Sequence, residues 1–155
     1  ITKRLQQLRA KGYITVALYD SLRPCGTNVP RLYGLPKVHK ADIPLRPILS
    51  MVNSPYHAIA QWLVGILESV RQQLVTYSLR DSFQFVESIQ EAKSNEKGML
   101  SFDVVSLFTS VPLIETIDYI CEQITKLEIK ICIPVLEVKN LLLRCTCNVQ
   151  FPFNG

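Results

Sequence analysis

Pro30, Pro44 and Pro47 restrict what this 155-residue chain can fold into more than any other feature, because each sits in an extended apolar segment and none can donate a backbone hydrogen bond. The segments are Val29–Leu35 (V-P-R-L-Y-G-L) and Ile43–Ser50 (I-P-L-R-P-I-L-S), joined by the polar connector Pro36–Asp42 (P-K-V-H-K-A-D). This pattern predicts an antiparallel hairpin. Proline inside a central strand removes a ladder bond, so these strands belong at a sheet edge, solvated on one side. Such a hairpin suits a flap that folds over a ligand. Arg31, Lys37, Lys40 and Arg46 lie on or beside it, where they either guard the edge by charge or meet an anion.

Charge sharpens the second option. The formal net charge of +4 is unevenly spread: residues 1–50 hold nine Lys/Arg against two Asp/Glu, and residues 51–155 hold eight against eleven. A basic segment is expected where phosphates are gripped, although a solvated basic face has the same composition.

A second stretch, Met99–Leu113 (M-L-S-F-D-V-V-S-L-F-T-S-V-P-L), carries one acid, Asp103, among apolar neighbours. Met99, Leu100, Phe102, Val104 and Val105 are β-prone and follow the turn-like Ser94–Gly98, so the run reads as a buried strand ending at Asp103. A buried carboxylate requires a cation, a metal or backbone donors beside it. Asp103 is therefore either a cap of the following turn or a metal ligand.

Helical periodicity fills most of the rest. Leu5 and Leu8 predict a short amphipathic helix over Thr2–Lys11 that stops at Gly12. Thr15 suits the cap of a second helix ending near Leu22, but Tyr13–Leu18 is equally strand-like, and Pro24–Asn28 is a loop in either case. Ser54-Pro55 marks a start for a helix to about Leu74 that buries Ile59, Leu63, Ile66, Leu67, Val70 and Leu74, with Trp62 in the core. Asp81 and Gln84 have capping-box spacing for a helix to about Lys93, whose Phe83, Val86 and Ile89 face a sheet. Leu113–Leu127 places Leu113, Ile117, Ile120, Cys121 and Ile124 on one helical face, leaving Asp118 and Glu122 in solvent. Glu128–Ile133 reads as a short strand or a connector, Pro134 opens a helix towards Cys145, and Val149–Phe153 reads as a last strand.

With 48% hydrophobic and 19% charged residues the chain is globular rather than disordered, and no apolar run approaches the roughly 20 residues of a membrane span. The start, Ile-Thr-Lys-Arg, lacks a signal pattern and an initiator Met, so a fragment of an intracellular protein is expected. Cys25, Cys121, Cys132, Cys145 and Cys147 form no zinc spacing with His39 or His57, and they read as reduced thiols without a catalytic role. The expected architecture is one α+β unit of antiparallel strands packed with helices.

The motifs go further. Phe-Asp-Val-Val-Ser-Leu-Phe-Thr-Ser-Val-Pro at 102–112 resembles motif A of reverse transcriptases, and Pro-Arg-Leu-Tyr-Gly-Leu-Pro-Lys-Val-His-Lys at 30–40 with Pro-Leu-Arg-Pro-Ile-Leu-Ser at 44–50 resembles the fingers motifs of the Penelope-like kind. The resemblance is strong at Pro30–Ser54 and Leu100–Leu113 and weak in the helices between. It implies part of a right-hand polymerase, with residues 1–54 as fingers and 55–155 as helices and the start of the palm. The remaining palm, the thumb and an endonuclease domain would lie downstream.

The resemblance also implies roles. Asp103 would bind two Mg²⁺ ions, or Mn²⁺, and the Val104 carbonyl would add a ligand. Phe108 would exclude a ribose 2′-hydroxyl. Arg46 and Lys37 would hold the incoming triphosphate, with Lys40 as a further candidate. RNA template, DNA primer and deoxynucleoside triphosphates would be the partners of a full-length enzyme working in the nucleus, with no membrane involved. The present chain lacks an Asp-Asp pair and is expected to be inactive alone. The alternative is an inactive remnant that binds nucleic acid through residues 1–50.

Overall fold

The structure, a computed structural model, describes residues 1–24, 28–75, 77–91, 99–147 and 149–152, except for the side chains of Glu91 and Phe108. It is a small α+β arrangement in which a helical core and a two-stranded antiparallel sheet are separate features. No described helix is long and apolar enough to cross a membrane.

Helix α1 (Thr2–Ala10) buries Leu5 and Leu8 and ends where Gly12 adopts φ 75°, a left-handed conformation that only glycine takes without strain. Thr15 then settles the ambiguity over Tyr13–Leu18. Its hydroxyl accepts the Leu18 N–H at 3.1 Å and starts α2 (Val16–Leu22), which buries Tyr19 and Leu22. The Arg9 guanidinium lies 4.4 Å from the centre of the Tyr19 ring and ties the two helices together.

Strands β1 (Arg31–Pro36) and β2 (Leu45–Ser50) pair antiparallel, with Arg31 opposite Ser50 and Leu35 opposite Arg46. Beyond the last pair the Lys37 N–H donates to the Pro44 carbonyl at 3.0 Å. Antiparallel ladders alternate between bonded and non-bonded pairs, so this contact makes 37/44, 35/46, 33/48 and 31/50 the bonded ones. Pro36 and Pro47 therefore fall in non-bonded pairs, where the missing N–H would have pointed away from the partner strand. Pro44 sits in a bonded pair but serves it through its carbonyl. Pro36 and Pro47 therefore cost the ladder nothing, and the donor that Pro44 lacks is replaced at the Lys37 carbonyl by the Lys40 N–H.

Helix α3 (His57–Leu74) buries Ile59, Leu63, Ile66 and Val70, with Trp62, Leu67 and Leu74 partly covered. It begins later than Ser54-Pro55 suggested. Ser54 is buried and caps a turn instead: its hydroxyl accepts from the Tyr56 N–H and its carbonyl from the His57 N–H. Helix α6 (Leu113–Lys126) follows its expected stripe, with Ile117 and Ile124 buried. Glu128–Ile133 is a connector that buries Ile129 and Ile133, and Pro134 precedes α7 (Val135–Thr146), which buries Val138, Leu141 and Leu142. Arg4 on α1 and Glu137 on α7 meet at 2.9 Å, but the two atoms are poorly aligned for a hydrogen bond, so the attraction is mainly ionic. Asp118 is not simply solvated, because its carboxylate binds the Lys139 ammonium across α6 and α7 at 2.5 Å.

Three further expectations fail. Helix α4 (Ser82–Glu91) forms, and Asp81 accepts the Gln84 N–H at 2.9 Å, yet the returning Gln84 side chain takes the Arg80 N–H rather than that of Asp81. Its apolar side chains do not pack on the sheet, and Phe83 is 79% exposed. Met99–Val105 is irregular and exposed rather than a buried strand, with Phe102 at 89%. Val149–Pro152 is likewise not a strand, and Phe153 lies outside the described residues. For the two expected strands the reason is that a strand needs a neighbour to bond its backbone. Among the described residues β1 and β2 pair only with each other.

Candidate functional site

Alternation along the strands sorts the hairpin into two unlike faces. Leu32, Gly34 and Pro36 share one face with Leu45, Pro47 and Leu49, and a Cβ added to Gly34 would come within 3.0 Å of the Leu45 side chain. That face is wholly apolar. The other presents Arg31, Tyr33, Leu35 and Lys37 beside Arg46, Ile48 and Ser50.

At the loop end of this second face lies a pocket of about 280 Å³ lined by Leu35, Pro36, Lys37, Val38, His39 and Arg46. Arg46 reaches it from β2, while Lys37 comes from the first residue after β1. The Lys40 N–H donates to the Lys37 carbonyl and the Ile43 N–H to the Lys40 carbonyl, at 3.0 and 3.1 Å, which makes two consecutive turns. Val38 and His39 occupy the middle of the first turn and close the pocket. Ile43, with φ 42°, brings the chain back into β2.

The pocket contains two permanent cations, one imidazole and no carboxylate. None of the ion pairs among the described residues involves Arg31, Lys37, Lys40 or Arg46. Guanidinium offers a planar fork of donors and ammonium a compact charge, a combination suited to a phosphate chain. Lys40 holds the loop through its backbone and does not line the pocket, so of the three expected cations two converge. His39 was missed in the sequence, where its relation to the cysteines was weighed but not its place in the turn. The signal was K-V-H-K after Pro36, read as a four-residue turn.

Asp103 and Val104 lie on the exposed irregular segment, not at a strand end and not in this pocket. Val105 and Ser106 form a turn in which Ser106 has φ 52°, and the Ser110 hydroxyl donates to the Val105 carbonyl ahead of the short helix α5 (Leu107–Ser110). The role expected of the Phe108 side chain falls outside what the structure describes. Among the described residues no three His, Cys, Asp or Glu side chains group closely enough to hold a metal ion. Burial pushes the thiols of Cys121 and Cys145 up, at Cys121 against the pull of Lys139, so both stay protonated and unreactive near neutral pH.

Comparison of the chain with protein-family models, with curated proteins and with solved structures gave no match.

Proposed function

We propose that the chain is part of an RNA-directed DNA polymerase of the Penelope-like kind, and that its hairpin grips the triphosphate of an incoming deoxynucleotide. The observation that supports this reading is the convergence of Lys37 and Arg46, named by two separate motifs, in one pocket without a carboxylate. Arg46 would take two phosphate oxygens through its fork, and Lys37 would neutralise the neighbouring charge. Phe108 as the sugar gate, RNA and DNA as partners and a nuclear parent protein belong to the same proposal.

The residues described do not complete a two-ion centre. Asp103 offers one carboxylate on an exposed segment, and each divalent ion needs several oxygen ligands to stay in place. What this chain's own residues support is binding. That favours a second reading, a chain that binds nucleic acid or nucleotides without turning them over.

Titration with a fluorescent deoxynucleoside triphosphate tests the grip. Arg46→Ala should weaken binding by about 1–2 kcal/mol, the low side of the range for charged hydrogen bonds because the pocket is open to water. Equal affinity for the native chain, Arg46→Ala and Lys37→Ala would remove the pocket from any phosphate role.

A further inference from the structure

We infer that His39 is a third phosphate-binding residue of the pocket and makes its affinity depend on pH, tightening as the solution becomes more acid. The inference rests on reading the pocket as a phosphate grip, and it adds a residue that neither motif chemistry nor charge counting supplies.

The hairpin geometry carries it. The Lys37–Lys40 hydrogen bond places His39 at the third position of a tight turn, and the pocket wall includes His39 together with Lys37 and Arg46. Imidazole is the side chain whose charge changes in the neutral range, so of the three groups it alone is adjustable. The negative oxygens of a bound phosphate chain favour the imidazolium and accept its N–H. Binding and proton uptake are then linked, and by reciprocity a lower pH must strengthen binding. The other charged groups of the same loop, Lys40 and Asp42, are exposed, lie outside the pocket wall and carry opposite signs. They leave the sign of the effect unchanged.

Inorganic tripolyphosphate is the probe, titrated by calorimetry at pH 6 and pH 8 into the native chain, His39→Asn, His39→Lys and Lys40→Ala. The phosphate's own titration is common to all four proteins, so the comparison between them isolates the imidazole. The native chain should gain about two- to fivefold more affinity from pH 8 to pH 6 than His39→Asn does, the scale of one solvent-exposed ion pair. His39→Lys should bind at pH 8 about as the native chain does at pH 6, with the extra pH dependence gone, and Lys40→Ala should follow the native profile. Binding whose pH profile is the same in the native chain and His39→Asn would overturn the role of His39 and leave the grip standing. A Lys40→Ala profile that matches His39→Asn would transfer the role to Lys40 and overturn it too. Absence of binding by the native chain at both pH values would overturn the grip and this inference together.

Discussion

Ile59 and Leu141 have no exposed surface, whereas Phe83 and Phe102 are almost fully in solvent, although all four are apolar. The difference fixes what each substitution should do. Ile59→Ala or Leu141→Ala leaves a cavity in the helical core and should lower the unfolding free energy by about 2–5 kcal/mol. Phe83→Ala and Phe102→Ala remove nothing that is packed and should stay within about 0.5 kcal/mol. Urea unfolding followed by circular dichroism measures both, and a large loss at Phe102 would mean that it is packed after all. At this scale the sequence was only half legible. Leu5, Leu8, Ile59 and Ile124 could be picked out because their helices repeat the apolar position every three or four residues. Phe102 and Val105 look just as apolar, but their burial depends on a strand partner far along the chain, which local pattern cannot supply.

Most elements whose determinants are local were read correctly, the start at Ser54-Pro55 and the closing of the Asp81–Gln84 box excepted, and those that need a distant surface were not. Caps, the Gly12 stop and the proline-bounded hairpin are written within a few residues of where they act. The packing of α4 and the pairing of Met99–Val105 are not. The capping of α4 yields a pH prediction. The Gln84 N–H, then the Arg80 side chain, hold the Asp81 carboxyl below the usual carboxylate range. A lowered carboxylate stabilises the fold above its unfolded pKa, and that contribution disappears as pH falls through the lowered value. Helix α4 should therefore fray in acid, seen as a loss of protection of the Gln84 amide relative to its intrinsic exchange rate at each pH. Asp81→Asn, which caps without titrating, should remove that dependence. The hairpin makes a sharper distinction. Leu35 belongs to a bonded pair, so Leu35→Pro should delete a ladder bond and melt the strands, while Pro47→Ala sits in a non-bonded pair and should leave the cross-strand amides as protected as before. Equal loss of protection in the two variants would refute the register argument.

The molecule as a whole is a helical core with a cationic and apolar hairpin attached, and its catalytic expectation depends on one acid. Asp103 stands on an exposed segment, and the described residues group no set of three metal-ligating side chains. The purified chain with Mg²⁺ or Mn²⁺ should therefore give no primer extension on an RNA template. Extension that Asp103→Asn abolishes would contradict this and require a second carboxylate nearby. Met99, Leu100, Phe102 and Val105 are between 74% and 89% exposed, and with the apolar hairpin face they should make the chain self-associate as its concentration rises, which sedimentation velocity would record. The form of that association follows from where the prolines stand. Pro36 and Pro47 occupy the outward-pointing positions of their strands, where an incoming backbone would have to find donors. Each rim thus lacks one of its three outward donors, which weakens edge-to-edge growth and favours clusters stacked through the apolar face of the hairpin.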